Sequence, residues 1–185
     1  MLADFGLATK VDKNKLAMSF CGTAEYLSPE MLNNEGHDHT VDWWTLGILL
    51  YEMLVGIPPF FHKNKHRMYY LIKEANVTYP VPEKHNIYVS PDAQDLINKL
   101  LIKKKDQRIG SKGGVKEILQ HPFFKELDID MLMQKKLTPT YMPEIGQELA
   151  YFDQKLVKSD HVEMSVIPQD RQKLIKTNKK AFDGF

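Results

Sequence analysis

Asp4-Phe5-Gly6 sets a carboxylate two residues before a glycine near the start of the chain. A hard divalent cation takes oxygen ligands, and glycine tolerates the sharp turn that would present such a carboxylate. Alone the tripeptide carries little weight, because any three residues recur by chance. His62 and His66 lie four apart, as ligands on one helix face would. No nearby Cys, His or acidic set completes a zinc site around them. Cys21 is the single cysteine, so no internal disulfide forms, and a reducing, cytosolic setting is expected. The basic stretch "IKKKDQR" reads as a solvated turn and not as a nucleic-acid patch.

The elements that must carry these residues follow from patterning. The first ten residues read as a short strand with a turn at Gly6, and "TKVDKNK" as a loop. At "SPEML", Ser28 is placed to cap a helix, Pro29 fits its first position and Glu30 its first turn. Residues 41–55 are apolar nearly all round, as in a helix packed on every side. At about 1.5–3 kcal/mol for each large side chain buried, this helix is expected to be the central rod of the core. Gly56, Pro58 and Pro59 stop it. A helix over residues 65–74 follows, then an extended connector, "YPVPEKHNIYVS". Ser90, Pro91 and Asp92 start another helix, with Ala93, Leu96, Ile97, Leu100 and Leu101 at helical spacing. "GVKEILQHPFF" adds a short helix broken by Pro122. From about residue 125 the chain turns polar, with scattered aromatics and prolines, and reads as an extended tail. No internal repeat is present.

Bulk properties narrow the classes. The hydrophobic fraction of 43% suffices for a core, and a net charge of +1 gives no global field for nucleic acid or an anionic membrane. Asp4 and Lys10 interrupt the first apolar stretch, so no signal peptide is expected there. The longest apolar run, "WWTLGILLYEMLVG", falls short of the roughly 20 residues that cross a bilayer.

Four stretches in order then form a pattern. Asp4-Phe5-Gly6 is followed by "SPE" (28–30), which resembles the Ala-Pro-Glu that closes a protein-kinase activation segment. "DWWTLG" (42–47) resembles the Asp-x-Trp-x-x-Gly of the kinase central helix, and "DQRIG" (106–110) the late kinase arginine motif. "SFCGTAEYLSPE", "VDWWTLGILLYEMLVGIPPF" and the tail pieces "KLTPTYMP", "YFD" and "FDGF" are similar to the AGC group of serine/threonine kinases. The resemblance covers almost the whole chain and is patchier from about 154 to 181. It implies a mainly α fold: a truncated protein-kinase large lobe with short β elements at the N-terminus, followed by an extended AGC tail. Residues 1–124 would be a partial kinase domain and 125–185 the tail.

The resemblance also implies roles. Asp4 would ligate the Mg²⁺ that bridges ATP phosphates, and Phe5 would pack under the regulatory helix of the small lobe. Ser19 aligns with the activation-loop phosphorylation site, where a phosphate adds about −1.5 to −2 charges. Thr23 matches the threonine that holds the catalytic aspartate. Phe20, Ala24 and Leu27 would floor the pocket for the residue after the phospho-acceptor; Ala24 replaces the usual Pro, and Ser28 the usual Ala. Glu30 and Arg108 would form a structural ion pair, and Asp42 would accept from the catalytic-loop backbone. Glu52 would pair with a substrate arginine. Phe152 would reach the adenine pocket, and Phe182 and Phe185 would be the hydrophobic motif that engages an upstream activating kinase.

No Gly-rich phosphate loop, strand lysine with its helix glutamate, or His-Arg-Asp loop occurs in the sequence. The expectation is therefore a chain that starts inside a longer kinase, with Met1 an internal methionine, and that is inactive by itself. Its parent would use ATP and Mg²⁺ to phosphorylate Ser or Thr in basic-flanked proteins, in the cytoplasm or also the nucleus. The competing expectation is a non-catalytic docking module that binds an upstream kinase or substrates through its tail and large lobe.

Overall fold

The computed structural model describes residues 4–11 and 16–142. The chain divides into two compact units, Met1–Lys135 and Lys136–Phe185. Among the described residues the helices are α1 (Pro29–Leu32), α2 (Thr40–Val55), α3 (Lys65–Glu74), α4 (Pro82–His85), α5 (Pro91–Leu100), α6 (Gly114–Leu119) and α7 (Ile129–Met133). All lie in the first unit. Residues 136–142 of the second carry no regular element.

The core forms where α2 packs on α5. Asp38 starts α2: its Oδ1 accepts from the Thr40 amide at 2.9 Å and the Thr40 hydroxyl at 2.7 Å. Gly56 ends it in the left-handed region, φ 93°, and donates its amide to the Glu52 carbonyl. That conformation is cheap only for glycine. Ser90 caps α5 by accepting from the Ala93 amide at 3.3 Å, and Pro91 occupies its first position. The two helices approach closely because Gly47 has no side chain. A Cβ there would lie 2.8 Å from Leu100 Cβ and from Leu101 Cδ2. Trp44, Ile48, Tyr51, Phe60, Met68, Ile72, Ile97 and Leu101 make the main cluster, with the rings of Trp44 and Phe60 stacked at 5.9 Å. Leu96, Leu100 and Ile118 form a second cluster under Trp43, Phe123 and Phe124.

His121 ties the end of α6 back to α5. Its Nδ1 accepts from the Phe123 amide at 3.2 Å, so Nε2 is the donor to Asp95 Oδ2 at 2.8 Å. The same carboxylate oxygen holds Lys99 at 2.7 Å.

Several expectations need correction. Residues 4–10 form no strand; Phe5–Leu7 is a 3₁₀ turn. A strand needs a neighbour to satisfy its backbone, and among the described residues extended pairing is limited to one antiparallel bridge, Ala17 with His37. α2 is not packed on every side: it buries Thr40, Trp44, Gly47, Ile48 and Tyr51, while Leu49, Met53 and Leu54 are 43%, 66% and 38% exposed. The connector at 79–90 contains α4, which Pro82 starts and Asn86 stops in the left-handed region. The stretch after 125 begins with α7, whose Asp128 accepts from the Met131 amide at 2.9 Å. Ser28 stands before α1 without capping it.

Candidate functional site

The site is built on one buried cation. Arg108 is 0% and Glu30 3% exposed. Their side chains meet in a fork, Nη1 to Oε1 at 2.9 Å and Nη2 to Oε2 at 3.0 Å. Arg108 Nη1 also donates to the Thr40 carbonyl at 2.8 Å and Nε to the Ile102 carbonyl at 3.2 Å. Its guanidinium lies 5.1 Å from the centre of the Trp44 ring. A planar fork of fixed donors suits this arrangement where a lysine would not. One side chain thus joins α1, the first residue of α2 and the loop after α5.

Next to it, Lys103 runs over the rings of Phe60 (3.9 Å) and Trp44 (5.1 Å) and donates Nζ to the Ile72 carbonyl at 2.7 Å. Burial pushes its amine down from 10.5 to about 8, because the charged form loses hydration that rings and one carbonyl only partly replace. Asp38 shows the opposite outcome. Burial alone would raise its carboxyl, yet hydrogen bonds from Thr40 and the ion pair with Lys105 at 3.1 Å hold it at about 2.

A cavity of about 460 Å³ is bordered by Ser19, Thr23, Tyr26, Leu27, His37 and Asp42, among others. Ser19, Thr23 and Asp42 are exposed, whereas Leu27 is buried. A second hollow of about 390 Å³ is bordered by both Lys10 and Ser19. Glu52, one face of α2 away, accepts a short hydrogen bond from the Tyr26 hydroxyl. That bond, then burial and the carboxylate's charge, push the Tyr26 hydroxyl up to about 12.

The structure therefore brings Ser19, Thr23 and Leu27 around one cavity with Asp42, and brings Glu30 to Arg108. It does not gather the rest. Ala24 packs toward the core, and Phe20 is 55% exposed and does not border the cavity. Asp4 is exposed in the left-handed region, φ 62°, beside an exposed Phe5. Phe152, Phe182 and Phe185 lie outside the described residues. Sequence reasoning missed Tyr26 and Lys103. The tyrosine lay inside the quoted "SFCGTAEYLSPE", but nothing in its neighbours shows that it turns toward α2. Lys103 was hidden in a run of lysines whose burial differs residue by residue.

Among the described residues no group of three or more His, Cys, Asp or Glu could hold a metal. Mg²⁺ needs no such cage: it keeps several waters and is bound by one or two carboxylates together with substrate phosphates. The exposed carboxylate of Asp4 fits that donor set as one ligand. No helix among the described residues is long and apolar enough to cross a membrane.

A fold whose buried Glu–Arg fork ties a hydroxyl-bearing loop to a central helix belongs to a definite class. The protein kinase domain family matches residues 1–124, and the chain belongs to that family. Similar relatives are serine/threonine kinases of AGC type. Protein kinase 2 of Dictyostelium discoideum is 42% identical over 154 residues, covering 82% of this chain and 31% of the relative. Serine/threonine-protein kinase Sgk1-B of Xenopus laevis is 39% identical over 193 residues, covering 100% and 43%. Serine/threonine-protein kinase Sgk1 of Homo sapiens is 41% identical over 156 residues, covering 83% and 35%. The chain spans less than half the length of these relatives.

Proposed function

We propose that these residues form the activation segment and helical large lobe of an AGC serine/threonine kinase, which transfers the γ-phosphoryl of ATP to Ser or Thr in proteins with basic residues before the acceptor. The observation that carries the reading is the cavity at the start of α2, which Ser19, Thr23, Leu27 and Asp42 border together, with the Glu30–Arg108 fork holding the end of the same segment. Asp4 would hold the Mg²⁺ that bridges the nucleotide phosphates and neutralises charge on them. Thr23 would orient a carboxylate entering the cavity, and Leu27 would line the position after the acceptor. A phosphate on Ser19 would face Lys10 across the hollow they share, which would order the loop by charge pairing. Phe182 and Phe185 would engage an upstream kinase.

The chain alone would not transfer phosphate, since the residues that hold ATP over Asp4 are not among these 185. The open apolar face of α2 supports this reading, because Leu49, Met53 and Leu54 present surface that a complete catalytic domain would cover. Incorporation of radiolabel by the purified chain, lost on Asp4→Ala, is the result that contradicts it.

Glu52 gives the substrate reading its own test. Fixed by Tyr26, its carboxylate is aimed before any ligand arrives, and a substrate guanidinium would gain a charge-assisted bond there. A labelled peptide with arginine before its serine should bind about tenfold more weakly to Glu52→Gln, the loss of one such bond. Equal affinity of parent and variant would remove Glu52 from the substrate site.

A further inference from the structure

Two dense basic stretches lie among the described residues, and the fold treats them differently. In the stretch at 102–108, Lys103 is packed on rings, Lys105 is paired with Asp38 and Arg108 with Glu30, so all of its cations but the exposed Lys104 are engaged within the molecule. In "HKNKHR", residues 62–67, every residue is exposed. Lys63, Lys65 and Arg67 make no ion pair among the described residues. No Asp or Glu occurs between Glu52 and Glu74 to offset them.

The placement is also adverse to the helix. Lys65, His66 and Arg67 form the first turn of α3, which holds no acidic residue. That end of a helix carries the positive end of its dipole and repels cations. Part of the backbone there is already engaged: Asn64 Oδ1 accepts from the Arg67 amide at 3.0 Å, and His62 Nδ1 from the Asn64 amide at 3.0 Å. Lys63, Lys65 and Arg67 add exposed side-chain cations to it. Two of them are steadied by rings one turn on, Lys65 over Tyr69 at 5.6 Å and Arg67 over Tyr70 at 5.0 Å. Met68 and Ile72, both buried, bolt the other face of α3 into the core. The result is a rigid platform that holds fixed positive charge outward, against the local preference of the helix that carries it.

We propose that this platform is a docking surface for an acidic segment of a partner protein, read by Lys63, Lys65 and Arg67. A patch six residues long matches a short run of carboxylates. A nucleic acid or an anionic membrane engages a longer ridge and a larger net charge than the +1 of this chain. The surface lies outside the cavity described above and needs no phosphoryl transfer.

The test is fluorescence anisotropy of a fluorescein-labelled Glu/Asp-rich peptide against the purified chain in low salt, with a Lys/Gly-rich peptide as control. The K63E/K65E/R67E variant should weaken binding by about tenfold or more, as loss of complementary charge does. The K104E/K112E/K116E variant makes the same change of net charge at exposed lysines elsewhere, and should stay within about twofold of the parent. Placing acid in the first turn of α3 favours the helix, so the first variant should melt no lower than the parent. Should it melt lower, K65Q/R67Q keeps the stems, and its expected loss is about threefold. Equal weakening by both triple variants, no binding by the parent, or no loss in K65Q/R67Q overturns the proposal. So does tighter binding of a single-stranded oligonucleotide or of phosphatidylserine vesicles than of the peptide.

Discussion

Replacing Arg108 by Met tests how much of the fold hangs on one side chain. The change keeps the apolar stem near Trp44 but strands the Glu30 carboxylate, which is 3% exposed, and leaves the Thr40 and Ile102 carbonyls without their donor. Removing one partner of a buried pair costs about 3–5 kcal/mol, because the other charge stays buried and uncompensated. A domain of this kind has about 5–15 kcal/mol in total, so roughly a fifth or more of its stability should go. With a urea dependence of about 2 kcal/mol per molar, the unfolding midpoint should fall by roughly 2 M. The buried indole of Trp44, 5.1 Å from the guanidinium, supplies an intrinsic fluorescence signal for the titration. The double change Glu30→Leu with Arg108→Met removes both charges and should recover most of the loss, since a buried pair is often replaceable by apolar groups. If the single variant loses less than about 1 kcal/mol, or the double is no more stable than the single, the fork is not the tie described above.

Ser28→Ala should stabilise the chain by roughly 1 kcal/mol in the same titration, because Ser28 Oγ is buried without a hydrogen-bond partner among the described residues. Gly47→Ala should cost about 1–3 kcal/mol, as its Cβ would meet Leu100 and Leu101 at 2.8 Å; an unchanged midpoint would mean that α2 and α5 part easily. For Lys103, whose amine is pushed down to about 8 in the fold against 10.5 ordinarily, both states are charged below pH 8. Above that the native state sheds its proton first, so its stability should climb from about pH 8 toward 10. There the hydroxyls of Tyr26, Tyr51 and Tyr79, pushed up by the fold, begin to oppose it. Lys103→Met should flatten the climb, and a slope that survives the change would assign it elsewhere.

Legibility followed the range of the interaction. α5 was readable because a cap, a proline and an apolar spacing lie within a few residues of one another. The Glu30–Arg108 meeting spans 78 positions, and only likeness to a known family pointed to it, since no local pattern relates the two. α2 was readable as a helix and misread as a fully covered one: its composition demands burial, but which residues supply the cover is not written in the helix. The opening strand failed for a related reason, because β structure is a property of pairs. α4 was hidden by prolines that usually end helices and here begin one. Tyr26 and Glu52, 26 positions apart, meet through the turn at Ala24–Tyr26, which no nearby residue announces.

The Ala17–His37 bridge is the lightest latch a backbone can form: two amides, each bonded to the other's carbonyl, at 2.8 and 2.9 Å. Ten positions further on, Leu27 is sealed in and Glu30 is clamped by a guanidinium. One ribbon is therefore fastened lightly at one end and riveted at the other. The light end is also braced by Leu16 and Met18, which lie against Gly36, while the far end carries a buried ion pair. Thr23 lies midway between Ser19 and Leu27, four residues from each.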